Sequence, residues 1–182
     1  MNKKIMIAIS GKSGCGNTTV STLVADTLGL QCINFTFRSL AAEKNIEFRK
    51  VMELAAVDEF WDREVDSRQV KLALESGGCV LGSRLAIWML KEADLKVYLR
   101  VSPAIRAERI VKREGDGPES AASFTAMRDA QDHERYLKIY GIDNDDYQFA
   151  DLIIDADELN PWEIADIIVN RIREKTDGNR SF

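Results

Sequence analysis

Between Ile9 and Val20 the chain reads ISGKSGCGNTTV, and this stretch constrains the fold more than any other. Ile5 to Ile9 is a short apolar run that reads as a buried strand. Gly11, Cys15 and Gly16 lie in a glycine-rich loop, and Val20, Leu23, Val24 and Leu28 then recur at helical spacing until Gly29. Strand, glycine loop and helix in that order make a phosphate-binding loop. Glycines let successive backbone N–H groups converge on phosphate oxygens, and the helix N-terminus adds partial positive charge. The loop spans Gly11, Lys12, Ser13, Gly14, Cys15, Gly16, Asn17, Thr18 and Thr19. Its spacing calls for lysine after Gly16, but Asn17 stands there. Thr18 keeps the hydroxyl that would bind a magnesium ion. The blander alternative is an ordinary glycine-rich strand-to-helix turn.

The rest of the chain continues the alternation. Leu30–Asn34, Cys79–Leu81, Leu95–Val101 and Leu152–Ile154 read as further short strands. Helical stretches fall near 37–45, 48–57, 59–76, 103–114, 119–140 and 161–172. Pro103 suits a first helical turn, GDGP at 115–118 a turn, and the tail TDGNRSF from Thr176 a loose end. This pattern predicts a three-layer α/β fold, a parallel sheet with helices on both faces and ligands at the strands' carboxyl ends. Residues 1–175 form one domain in this reading, and 176–182 a flexible tail. Two helical stretches, 36–76 and 103–147, exceed what a bare sheet needs.

Composition narrows the function. A chain of 182 residues with net charge -5 is no general binder of nucleic acid polymers. Three separated cysteines and a single histidine argue against a disulfide framework or a zinc site and fit the reducing cytoplasm. The apolar run in MNKKIMIAIS stops at Ile9, short of a signal peptide, and no run has membrane-spanning length. Any phosphate site must therefore be a local concentration of positive groups.

Those groups can be named. Lys12 sits one residue into the loop, where a flexible ammonium could reach terminal phosphates; the alternative is a solvated surface lysine. Arg38 opens the first insertion, and Arg84 follows the third strand at the sheet's binding edge. Arg106, Arg109 and Arg113 share one helix face, and Arg128 and Arg135 repeat the seven-residue spacing. Any one helix arginine alone fits a solvated face or a pair with nearby Glu108 or Glu134, but two such rows suggest a phosphate-clamping lid. FWDREVDSRQ places Asp62 and Asp66 four apart, suited to an exocyclic amine or ribose hydroxyls, or to a plain acidic face. Trp61, Trp88 and Trp162 read as core or groove walls.

Taken together, ISGKSGCGNTTVSTLVADTLGL, FRSLAAEKN, WDREVDSRQ, SRLAIWM, ADLKVYLRVSPAIRAERIVKREG and ERYLKIYGIDNDDYQFADLIID resemble the archaeal-type cytidylate kinases, nucleoside monophosphate kinases of the P-loop fold. The likeness runs in order from about Ile5 to Ile172. It implies ATP-dependent phosphorylation of CMP or dCMP with Mg2+ bound at Thr18, by a monomer or weak dimer in the cytoplasm whose partners are small nucleotides. It implies a monophosphate-binding insertion at 36–76 and an arginine-bearing lid at 103–147. Arg38 and Arg84 would hold the acceptor phosphate, with Asp62, Asp66, Arg68 and Gln69 in or beside the nucleoside pocket. Arg109, Arg113, Arg128 and Arg135 would be lid residues that surround the transferring phosphoryl, and Lys12, on the reading of the loop itself, would substitute for the missing lysine's charge. The family's own loop often has threonine at the position of Asn17. A second departure is CVLGSRL, where Gly82 replaces the acidic residue usual before the family's glycine–arginine pair. Two other functions stay open: a degenerate nucleotide-binding regulator, which Asn17 and Gly82 favour, and a kinase for another small acceptor such as UMP or AMP.

Overall fold

The computed structural model describes residues 5–114 and 118–178, without the side chains of 113, 114, 118–120, 177 and 178. Among these residues β1 (Met6–Gly11), β2 (Gln31–Ile33), β3 (Cys79–Gly82), β4 (Leu95–Arg100) and β5 (Leu152–Asp155) form one sheet in the order β2-β3-β1-β4-β5. Every pairing is parallel, with Ile9 opposite Gly82 and Gly11 opposite Leu99. The strands are short and apolar because both faces are covered.

Alternation along β1 decides which residue meets which layer. Ile7 and Ile9 face a core made with Val24 of α1 (Asn17–Leu28) and Ile164, Ile168 and Ile172 of α8 (Pro161–Gly178). Ala8 faces the opposite core, with Leu81, Tyr98, Ile87 of α5 (Ala86–Met89) and Ala73 of α4 (Phe60–Ser76). The first insertion, α2 (Phe37–Lys44), α3 (Phe48–Ala55) and α4, has its own small core of Phe35, Leu40, Val51, Trp61 and Val65. The second is a hairpin of α6 (Pro103–Glu114) and α7 (Pro118–Tyr140).

Local chemistry sets the helix ends. Gly29 takes φ 63° and lets Leu30 N–H reach Ala25 O at 2.9 Å, which closes α1. Thr36 and Ser39 cap α2 reciprocally. Asn160 accepts from Trp162 and Glu163 N–H at 2.9 and 3.1 Å, while Glu163 accepts from Asn160 N–H at 2.8 Å, so α8 starts on a capping box with Pro161 in its first turn.

Four readings change. The segment 119–140 is one continuous helix, Pro118–Tyr140, packed along α6, with Phe124, Met127 and Leu137 left exposed on its outer side. α5 escaped the periodicity because it is only 4 residues long. α8 extends to Gly178, since Lys175 Nζ reaches Asp94 O at 2.6 Å and Asp151 at 3.3 Å; residues 179–182 and 115–117 lie outside the description. Trp162 is neither core nor groove wall: it is 65% exposed at the start of α8.

The α1–α8 layer carries the stability of the loop's helix. Ile168→Ala should cost about 3 kcal/mol, read as a lower midpoint of urea unfolding, because Ile168 is fully buried against α1.

Candidate functional site

At the carboxyl edge of the sheet a cleft of about 920 Å³ runs from the glycine loop to the first insertion. One end is made by Gly11–Val20, the other by Phe35–Phe37, Asp62, Asp66 and Gln69. Arg84, Arg109, Arg128 and Arg135 line the space between them. A parallel sheet places ligands here, where loops diverge on either side of β1.

The loop's shape follows from its glycines. Gly14 and Gly16 hold φ 84° and 90°, and a Cβ on Gly14 would stand 2.9 Å from Arg106 O. No side chain caps α1, and its first turn carries no acid. Its first N–H groups, at Asn17, Thr18 and Thr19, therefore open onto the cleft as an anion site. The exposed Thr18 lies in this turn. Ser13 and Cys15 are buried, and burial pushes the Cys15 thiol up.

Asn17 does not face the phosphate cradle. Its amide donates to Ile9 O at 3.0 Å and its carbonyl accepts from Ser21 Oγ at 2.9 Å. Lys12 lines the cleft, but its ammonium is held by Asp145, 2.6 Å away in the segment after α7. His133 Nδ1 is 3.5 Å from both Asp143 and Asp145 and 3.0 Å from Asn144 Oδ1.

The arginines divide into three kinds. Arg106, almost fully buried, donates to Ser13 O at 3.0 Å and pairs with Asp129 at 2.6 Å; Arg109 donates to Cys15 O at 3.2 Å and Ala156 O at 3.0 Å. These two brace the loop's backbone, which confirms that they share a face of α6. Arg84 pairs with Asp132 at 2.8 Å, Arg135 pairs with Asp62, and Arg128 lies 5.9 Å from the Phe124 ring. They stand inside the cleft. Arg38 and Arg68 stand elsewhere: Arg38 stacks 4.0 Å over Phe48 and Arg68 bonds Glu43 at 3.0 Å, and neither lines the cleft. The side chain of Arg113 is outside the description.

The insertion's carboxylates are held tightly. Asp62 is buried against Arg135, and Asp66 accepts from Tyr140 Oη at 2.7 Å. Burial raises both, and raises Asp66 to about 6. Gln69 donates to Phe35 O at 2.8 Å and so fixes the strand-to-helix turn beside the pocket.

Sequence reasoning missed the counter-charges. Asp129, Asp132 and Tyr136 fall at i, i+3 and i+7 on the face of α7 that also carries Arg135, a helical spacing visible in the sequence. Ser10 was also missed: fully buried, it donates to Ser83 O at 3.0 Å and accepts from Ile87 N–H at 3.1 Å, fixing the turn that carries Arg84.

This architecture is that of the P-loop kinases. Shikimate kinase from Acinetobacter baumannii, in complex with shikimate, superposes with a TM-score of 0.65 over 94% of each chain at 17% identity. Deoxyadenosine kinase from M. mycoides, with bound dATP, gives 0.59 over 93% of this chain and 100% of its own at 19% identity. Identities that low establish the fold alone. The family comes from the sequence: the chain matches the Cytidylate kinase-like family over residues 6–158 and belongs to it. Cytidylate kinase 2 of Borreliella afzelii is 46% identical over 173 residues, 93% of this chain and 97% of that one. The cytidylate kinase of Pyrococcus horikoshii is 40% identical over 167 residues, 91% and 86% of the two chains. Among the described residues, no helix is long and apolar enough to cross a membrane.

The raised carboxyl of Asp66 generates a prediction. Its pKa in the fold exceeds the ordinary 3.8, so its contribution to stability is full below that pH and is lost as pH rises through about 6. Asp66→Asn should therefore gain stability relative to the parent between pH 4 and 7, by at most about 3 kcal/mol, in urea titrations at each pH.

Proposed function

We propose that the protein transfers the terminal phosphoryl group of ATP to CMP or dCMP. The observation that carries this reading is the single cleft with the glycine loop at one end, the Asp62–Asp66–Gln69 insertion at the other and arginines between. Its 920 Å³ suits two nucleotides facing each other. The names of the relatives support cytidylate as acceptor.

The loop's N–H groups would hold the donor phosphates. Arg84 would hold the acceptor phosphate. Arg109, Arg128 and Arg135 would surround the transferring group, since phosphoryl transfer needs positioning and neutralised charge more than a covalent protein group. Arg84 stays charged: burial disfavours its cation, but Tyr136 and Asp132 outweigh that. No general base is required, because the acceptor phosphate is itself an anionic nucleophile. Asp62 and Asp66 would read the nucleoside. Closure of the 103–147 lid would exclude water from the transfer.

A divalent cation fits the residues present in one way. Thr18 offers a hydroxyl in the first turn of α1, and Gly82 leaves no carboxylate at the end of β3. Magnesium suits that donor set, because it keeps several waters and takes phosphate oxygens. When bound it would offset charge on the phosphates; the arginines do so from the other side. Arg38 would have to leave the Phe48 ring to reach the acceptor.

The test is ADP formation from MgATP with CMP, dCMP, UMP and AMP offered separately. Turnover dependent on CMP or dCMP is expected. Turnover with AMP or UMP alone would overturn the acceptor assignment, and binding without turnover would favour a regulator.

Lys12 has its own test. If its ammonium leaves Asp145 for the donor, Lys12→Ala should lower kcat/KM for ATP about tenfold, and Asp145→Asn should lower the KM for ATP by removing the competitor. Unchanged kinetics in both would make the pair purely structural.

A further inference from the structure

Asn17, which stands where the loop's spacing calls for lysine, and Gly82, at the end of β3, meet in space. Strand β3 lies beside β1, and Gly82 is opposite Ile9 in the ladder. Asn17 donates to that same Ile9 carbonyl at 3.0 Å. Its own carbonyl accepts a hydrogen bond from Ser21 Oγ, one turn further along α1, at 2.9 Å. Ser21 is almost fully buried. The pair fills the space above Gly82. A Cβ at position 82 would overlap Ser21 Oγ, stand 2.8 Å from Ser21 Cβ and reach within 3.2 Å of Asn17 Oδ1. No side chain fits there while Asn17 and Ser21 hold these positions.

We propose that Asn17 is a positioning residue. With Ser21 and Gly82 it forms a neutral clamp that fastens the first turn of α1 to the ends of β1 and β3. This goes beyond the kinase reading and rests on it in one respect: the turn being fastened is the one whose N–H groups meet the donor phosphates. In an ordinary phosphate loop the side chain after the second glycine reaches out to the phosphates as a cation. Here it turns back into the sheet and works through the backbone it holds. The chain keeps the shape of the cradle with uncharged groups, and fixed positive charge comes from α6 and α7 instead.

Two consequences follow physically. Ser21 touches the cleft nowhere, yet it orients Asn17, so both should affect the donor in the same way. Position 82 cannot regain a side chain alone, because Ser21 must first be cut back.

The experiment is calorimetric titration of the full chain with MgATP in the absence of acceptor, alongside thermal unfolding and steady-state kinetics. Asn17→Ala and Ser21→Ala should each raise the Kd for MgATP about tenfold, the scale of one buried hydrogen bond. The double variant should be no worse than either single, because one unit has been broken. Both singles should raise the KM for ATP while kcat at saturation changes less than about threefold. A direct phosphate contact by Asn17 predicts otherwise: Asn17→Ala weakens binding and Ser21→Ala leaves it unchanged, and that result would overturn the clamp. Additive effects of the two singles would overturn it too.

The steric half is read by unfolding. Gly82→Ala should lower Tm, and adding Ser21→Gly should recover part of the loss although glycine inside a helix is itself unfavourable. A double variant no more stable than Gly82→Ala sinks the proposal. If Gly82→Ala does not fold, folding of the double variant supports the clamp, and failure of both overturns it. Absence of MgATP binding in the parent chain would instead remove the kinase reading, while the Tm pairs still decide whether the clamp exists.

Discussion

Arg106 is the contact on which the rest of the site depends. Its guanidinium is buried between the carbonyl of Ser13 in the loop and the carboxylate of Asp129 on α7. A buried charge pair contributes little net stability, but loss of either partner strands the other at high cost. The geometry it enforces is specific. The glycine loop, α6 and α7 cannot be displaced separately without stranding Asp129 or the loop carbonyl. Gly14 shows how close the approach is, since α6 backbone lies where any Cβ would go.

Around this joint the protein solves an electrostatic problem. Its net charge is -5, yet Arg84, Arg109, Arg128 and Arg135 line one cleft. Arginines must be gathered in one cleft and still be tolerated when no phosphate is there. The structure does this with carboxylates: Arg84 faces Asp132, Arg135 faces Asp62, and Lys12 faces Asp145. Each pair keeps a cation oriented and neutralised at modest desolvation cost. A phosphate entering the cleft offers the same charge with more acceptor oxygens, so exchange of partners, rather than creation of new charge, is the natural response to a nucleotide.

Much of this was legible beforehand. β1, the loop and α1 could be read because glycine spacing, apolar run length and helical period agree there. The order of strands and helices implied the parallel sheet. The arginine rows at 106–113 and 128–135 marked the helices that line the cleft. Other features carried no separate signal. Arg38 was expected at the acceptor phosphate, yet it lies over Phe48, because stacking on an aromatic face competes with a solvated position at the rim. Lys12 was expected to reach the phosphates, but its partner Asp145 is far away in sequence.

The chain by itself determined the fold class, the loop and the set of cations, because each is written in local spacing: glycines that permit a tight turn, apolar residues at periods of two and 3.6, arginines seven apart. Only the tertiary structure decided what each cation faces and where Asn17 points. Those outcomes depend on parallel strands that bring Ile9 beside Gly82, and on a hairpin that folds Asp129 and Asp132 back over the sheet. Contacts between residues far apart in sequence leave no periodic trace, and a glycine whose missing side chain is replaced by a neighbour looks, on one strand alone, like a simple loss.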